Sequence, residues 1–186
     1  MARVPGAVPG TTLETGTTSQ LSDRTLGAAR ALLDEVFYPE MTDHDWDHCL
    51  GGEHALIWEG PRLVAHAAVV QRRLTVGARR LRTGYVEGVA VRAQRQSRGH
   101  GAAVMAAVEA TISRDYDLGA LGSTEAGVGF YVARGWRVWQ GPTWARIPNG
   151  LMRTPDEDDW IYVLETGEAL DFSETLTCEW RPGDVW

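Results

Sequence analysis

Apolar positions along the chain alternate between two periods, and the changes of period divide it into elements. After a short β-like run over Leu13 to Gln20, Leu26, Ala29, Leu32, Leu33 and Val36 recur at helical spacing behind Ser22, a residue type that caps helices. Pro39 ends that pattern near Phe37. Thr42 or Asp43 opens a shorter helix through Leu50, stopped by Gly51-Gly52. His54 to Trp58, a Glu59-Gly60-Pro61 turn and Leu63 to Arg72 read as a hairpin, and a turn near Gly77 leads into a long strand, Leu81 to Val91. A helix over Ala102 to Ile112, a strand over Tyr116 to Leu121, a helix over Glu125 to Arg134 closed by Gly135, and a strand over Trp136 to Trp139 follow. Beyond Gly141, proline and glycine breaks separate short β-like runs, Trp160 to Leu164 and Leu176 to Trp180. This order predicts an α/β fold, a mixed central sheet with helices on both faces.

At 186 residues and 44% apolar content, the chain suits one domain with a substantial core. Residues 13–186 are expected to form it, behind a disordered Pro-, Gly- and Thr-rich tail over residues 1–12. A net charge of -7 argues against nucleic-acid binding, and the lack of an apolar run of about 18 residues argues against a membrane span. The tail has no apolar secretory core, so a cytoplasmic location is expected. Cys49 and Cys178 are far apart, and His44 and His48 lack a third ligand nearby, so neither a disulfide framework nor a metal is expected.

Charge is distributed unevenly. Ten of the twelve charges between Pro61 and Arg114 are arginines, whereas ten acidic residues between Thr154 and Trp186 face the single Arg181. An anion-seeking middle and a cation-seeking end follow, although plain ion pairing within the domain is equally compatible. All eighteen cationic side chains are arginine, which fits codon bias as well as function.

The middle holds the sharpest local motif. Gln96-Ser97-Arg98-Gly99-His100-Gly101 reads Q-x-x-G-x-G, between the apolar strand Tyr85 to Val91 and the helix from Ala102. Glycines let the backbone turn and approach a ligand closely, so several N–H groups and the helix dipole can converge on one phosphate. Arg92, Arg95 and Arg98 surround that nest and would add charge-assisted hydrogen bonds. The alternative is a surface turn carrying solubilising arginines.

Several segments carry a family resemblance: His44 to Gly52, His54 to Trp58, Ala65 to Arg72, Gly84-Tyr85-Val86-Glu87-Gly88-Val89-Ala90-Val91, Tyr131 to Trp136, and Trp180-Arg181-Pro182-Gly183-Asp184-Val185-Trp186. They resemble the Gcn5-related N-acetyltransferases and, within that superfamily, the aminoglycoside 2′-N-acetyltransferases. The resemblance implies the acetyl-CoA fold, whose central strand splays from its neighbour at a bulge so that the pantetheine arm fills the gap like an added strand. Backbone groups of Val89, Ala90 and Val91 would bind pantetheine. The motif residues Gln96 and Ser97 and the amides of Arg98, Gly99, His100, Gly101 and Ala102 would hold the pyrophosphate.

Acetylating an amine requires a neutral nitrogen, so a proton acceptor must lie within one water of it. Glu87 is the candidate, since it is the only carboxylate between Pro61 and Val108 and sits on the strand carrying the cofactor contacts. A solvated strand glutamate paired with an arginine is the alternative. The resemblance makes Tyr131 the proton donor to the departing thiolate, where a rim tyrosine would otherwise serve packing. It assigns polarisation of the thioester carbonyl to a nearby backbone N–H, that of Val89. It assigns Glu40, Asp45, Gly88, Glu157, Asp184 and Trp186, the last through its carboxylate, to a polycationic aminoglycoside. Glu40 and Glu157 stand where aspartate is the family pattern, and Gly122 where relatives offer serine. The resemblance further implies a homodimer and antibiotic resistance. Another amine or hydroxyl acceptor, such as a cell-wall amino sugar, and a non-catalytic acyl-CoA-binding module are the alternatives.

Overall fold

The computed structural model describes Val8 and residues 10–186. Most of the expected tail, residues 1–7 and 9, lies outside the described residues. The chain resolves into two compact units that interleave in sequence: the described residues up to Val70 with Val86–Thr111, and Gln71–Tyr85 with Ile112–Trp186.

In the first unit, β1 (Thr12–Thr17) pairs antiparallel with β2 (Glu53–Glu59), which pairs antiparallel with the first part of β3 (Arg62–Val76). The register shifts between Ile57 and Trp58, just before the turn at Gly60, whose φ is +55°. Helix α1 (Asp23–Val36) starts where expected, with the Ser22 hydroxyl accepting from the Thr25 N–H. Helix α2 (Asp43–Cys49) opens on a reciprocal capping box between Thr42 and Asp45. Ala29, Leu32 and Leu33 from α1, Cys49 from α2, and Leu56, Leu63 and Ala68 from the strands form one buried cluster. Ala90 joins it from β4 (Arg79–Val91), the strand that carries Glu87. A 3-10 turn (Ala93–Arg95) leads from β4 to helix α3 (His100–Asp115), and both β4 and α3 continue into the second unit.

The second unit contains β5 (Leu118–Gly122), helix α4 (Val128–Val132), β6 (Arg137–Val138), β7 (Thr143–Ile147), β8 (Gly150–Arg153), β9 (Ile161–Glu165) and β10 (Leu176–Glu179). Its strands follow the order β6-β9-β5-β4-β3-β10-β7-β8, with the β4–β5 and β10–β7 pairs parallel and β10–β3, β5–β9, β6–β9 and β7–β8 antiparallel. The sheet is therefore mixed, as expected. Pairing of β4 with β5 covers Thr83↔Leu118, Gly84↔Gly119 and Tyr85↔Ala120, while β4 runs on to Val91.

Several boundaries differ from the expected ones. The strand expected from Tyr116 starts at Leu118, because the Tyr116 N–H donates back to Ile112 and prolongs α3. The helix expected over Glu125 to Arg134 is a 3-10 turn (Glu125–Gly127) followed by the five-residue α4, since Gly127 and Gly129 both weaken helix propagation. The strand expected over Trp136 to Trp139 contracts to β6. The β7–β8 hairpin turns at Pro148-Asn149, with Gly150 paired to Ile147.

Two glycines of the first unit should respond oppositely to alanine. Gly27 lies exposed within α1 with open space around its missing Cβ, so Gly27→Ala should stabilise by about 0.5–1 kcal/mol. A Cβ at Gly52 would fall 2.0 Å from the Val69 carbonyl oxygen, so Gly52→Ala should cost about 3 kcal/mol. Urea unfolding midpoints of the two variants check this, and equal midpoints would contradict the packing described.

Candidate active site

Site residues expected from the sequence fall into two groups, one in each unit. In the first, Ser97 and Gly99 both take left-handed backbone conformations, φ +59° and +87°, and α3 begins at His100. The first N–H groups of a helix have no intrahelical acceptor, so the amides around Gly99 to Ala102 form an anion cradle at a 16-residue helix. A Cβ at Gly99 would meet only Val8 Cγ2, at 3.7 Å. The geometry fits a pyrophosphate held by backbone groups.

The surrounding arginines behave differently from expectation. Arg92 pairs with Glu35 through Nη1 and donates from Nε to the Leu63 carbonyl at 2.7 Å. Arg95 donates from Nε to both carboxylate oxygens of Glu59, at 2.7 and 2.8 Å. Carboxylates absent from the local motif thus take up two of the three cations, and only Arg98 stands exposed over the loop. Gln96 reaches back to the Val91 carbonyl at 3.4 Å. The His100 side chain turns inward, 1% exposed, with neither ring nitrogen hydrogen-bonded and Nε2 3.7 Å from Glu59 Oε1. Burial holds its pKa low, opposed by the nearby Glu59 charge.

Glu87, Val89 and Val91 are half-buried on β4, with Ala90 buried between. Gly88 has φ +58°, which interrupts the strand alternation that would place Glu87 and Val89 on one face. A Cβ there would lie 2.8 Å from Cys49 Sγ and 3.2 Å from Leu33 Cδ1, so the kink is packed directly against α1 and α2. The Gly88 carbonyl lies 2.8 Å from His66 Nδ1, His66 Nε2 lies 3.0 Å from His54 Nδ1, and His54 Nε2 lies 2.8 Å from the Thr18 hydroxyl. Both histidines are fully buried. Neither was singled out in the sequence; their one signal is that each interrupts an apolar strand. Nearby, Asp45 Oδ2 accepts from both the Thr42 N–H and its hydroxyl, so one oxygen of this expected substrate ligand serves the helix cap. Glu40 is exposed.

The second unit holds Tyr131 and the acidic end. Tyr131 is 8% exposed, packs edge-on to Phe130 and Trp136, and burial pushes its phenol up to about 12. A Cβ at Gly122 would lie 3.7 Å from the Tyr85 hydroxyl, within ordinary contact distance. Glu157 is half-buried, and burial, then the charges of Asp184 and Asp156, raise its pKa. Asp158 pairs with Arg153 and accepts from the Thr143 N–H and hydroxyl at 3.0 and 2.9 Å. The last residues are fastened down: Trp186 is buried with its indole N–H on Thr154 at 2.9 Å, and its N–H donates to Asp184 Oδ1 at 3.1 Å. Arg181 donates to the Asp184 carbonyl at 2.9 Å and to one main-chain oxygen of Trp186. Arg72 donates to the Glu179 and Val185 carbonyls at 3.1 and 2.6 Å.

A family model described as an acetyltransferase (GNAT) domain matches residues 17–139. An aminoglycoside 2′-N-acetyltransferase of Mycolicibacterium fortuitum is 46% identical over 173 residues, which is 91% of this chain and 89% of that protein. Among solved structures, an acyl-CoA N-acyltransferase from Pseudomonas aeruginosa superposes with a TM-score of 0.57 at 15% identity, covering 82% of this chain and 98% of its own. The ribosomal-protein-S18-alanine N-acetyltransferase from Escherichia coli gives 0.58 at 15% identity, covering 85% and 96%. These two likenesses show the fold. Among the described residues no helix is long and apolar enough to cross a membrane.

The buried histidines make stability depend on pH. Burial lowers both from 6.5 to about 4, so an unfolded chain binds protons that the folded one refuses. Their contribution is complete above 6.5 and is lost as pH falls towards 4, on the order of 3 kcal/mol per ring. Urea midpoints should therefore fall between about pH 7 and about pH 4.5, most steeply below 6.5. A midpoint that stays flat across that interval in wild type would contradict neutral buried rings.

Proposed function

This chain belongs to the Gcn5-related N-acetyltransferase (GNAT) family, and on that premise we propose that it transfers the acetyl group of acetyl-CoA to the 2′-amine of aminoglycosides, conferring resistance to those that carry one. The observation that carries this reading is the near full-length similarity to the Mycolicibacterium fortuitum enzyme. Backbone groups of Val89, Ala90 and Val91 hold the pantetheine arm, and the amides from Arg98 to Ala102 hold the pyrophosphate. The cradle at the start of α3 and the stretch of β4 beyond its pairing with β5 support that assignment. When bound, acetyl-CoA supplies an activated acyl thioester.

The remaining chemistry belongs to side chains and one amide. Glu87 accepts the proton of the acceptor ammonium, directly or through one water, and so exposes the nitrogen lone pair. The Val89 N–H polarises the thioester carbonyl. Tyr131 donates to the departing sulfur; a phenol at about 12 stays protonated throughout the neutral range and is therefore always ready to donate. Glu157 and Asp184, with Glu40 and the second oxygen of Asp45, pair with substrate ammonium groups. The raised pKa of Glu157 supports this role, because a carboxylate disfavoured by burial and then by the charges of Asp184 and Asp156 gains from an incoming cation.

Glu87→Gln should lower kcat at neutral pH by about a hundredfold or more while leaving acetyl-CoA affinity unchanged, measured by thiol release and calorimetry. An unchanged kcat removes Glu87 from the mechanism. Thiol release with other amines but with no 2′-amino aminoglycoside would overturn the substrate assignment.

Aminoglycoside affinity should weaken as pH falls into the titration of Glu157, which lies above the ordinary 4.5. Glu157→Gln should weaken binding and flatten that dependence in calorimetric titrations. Wild type and variant with the same pH profile would take Glu157 out of the substrate site.

A further inference from the structure

The buried hydrogen-bond chain that ends on Gly88 has a fixed polarity. A carbonyl only accepts, so His66 must donate to Gly88 from Nδ1. A neutral ring protonated there accepts at Nε2, and His54 must then donate to it from its own Nδ1. His54 Nε2 is left to accept from the Thr18 hydroxyl, which in turn accepts from the Gly51 N–H at 2.9 Å. Burial holds both rings neutral, and in that state the chain admits a single tautomer of each, between the Gly51–Gly52 turn and the kink of β4; an added proton would turn the Thr18 hydroxyl to the Gly52 carbonyl, 3.3 Å away.

The consequence appears on the far side of the peptide. The Gly88–Val89 bond is trans, so its carbonyl and the Val89 N–H point in opposite directions in one plane. Holding the carbonyl on His66 fixes the direction of that N–H. With φ +58° at Gly88, the regular ladder geometry of a strand does not set it.

We propose that His54 and His66 are positioning residues for acyl transfer: by gripping the Gly88 carbonyl, the imidazole pair aims the Val89 N–H at the thioester carbonyl. This rests on the reading above that the Val89 N–H polarises that group. A proton relay does not fit the same chain, since it terminates on an amide oxygen rather than on a group that exchanges protons at working pH.

Three measurements test the proposal. In the unligated protein, 15N NMR of the imidazoles should show both rings neutral with the proton on Nδ1; an Nε2–H tautomer at His66 would overturn it. In the complex, the infrared band of carbonyl-13C-labelled acetyl-CoA should lie below its position in free solution, and in His66→Leu it should return towards the free value. There kcat should fall about tenfold or more, with acetyl-CoA affinity within about twofold of wild type. His66→Asn, whose amide can donate from nearly the Nδ1 position, should recover much of the band shift and of kcat. A folded His66→Leu with wild-type band and kcat overturns the inference. Where His66→Leu does not fold, His54→Leu is read instead: it leaves the Gly88 contact but frees the tautomer, and a wild-type band and kcat would likewise overturn the pairing. A wild type that binds acetyl-CoA and transfers, but shows no band shift, sinks the inference while sparing the proposed function. A wild type that does not bind acetyl-CoA sinks both.

Discussion

The close approach of Gly88 to Cys49 and Leu33 is the constraint on which the first unit turns. No side chain fits there, and the φ of +58° takes the strand out of pleated geometry as it passes over α1 and α2. The kink turns a carbonyl inward, and a buried carbonyl without a donor costs about 1–3 kcal/mol. That cost explains why two histidines lie beside a core of alanine, leucine and Cys49: His66 supplies the donor, His54 supplies the donor to His66, and Thr18 completes the series. Fully satisfied, such a network is rigid; interrupted at any member, it leaves a buried polar atom unmatched. The glycine and the imidazoles therefore form one unit of design, although twenty-two residues separate His66 from Gly88.

Charge follows a similar economy. Arg92 and Arg95 flank the glycine loop but are held by Glu35 and Glu59, so the cradle relies on backbone amides and the helix terminus more than on guanidinium groups. Among the acidic residues, Asp158 is bound to Arg153 and Thr143, and Asp45 caps α2 through one oxygen. Much of the charge asymmetry in the sequence is thus answered by local pairing.

What could be read from the sequence was what is local. Ser22, the Thr42 cap and the glycine turns are short-range signals, and the elements they bound appear where expected. The glycine loop between strand and helix was equally legible, as was the mixed sheet. The segment from Glu125 to Arg134 was not, because Tyr131 packs its ring onto Gly127, with Cε2 only 2.9 Å from where a Cβ would stand, and helical spacing cannot reveal that choice. His54 and His66 were hidden for a related reason. Each occupies an inward strand position that an apolar residue would fill equally well by pattern, and their partners come from other segments. The pairing of Arg92 with Glu35 and of Arg95 with Glu59 differs from the expected one because a run of like charges in sequence gives no information on which members meet an opposite charge in space.

Burial raises the pKa of both Tyr131 and Glu157, with opposite chemical effects. For the phenol, desolvation preserves the proton and keeps the group a donor. For the carboxylate, desolvation and the neighbouring Asp184 and Asp156 disfavour the charge that a cation would seek, so Glu157 is held in a state that an ammonium group relieves. A carboxylate already satisfied by arginine, such as Asp158, gains little from a second cation, whereas one crowded by other carboxylates gains attraction and loses repulsion together. Glu157 and Asp184 stand close enough to repel, while Arg153 is held by Asp158 and Arg181 donates to the main-chain carbonyl of Asp184.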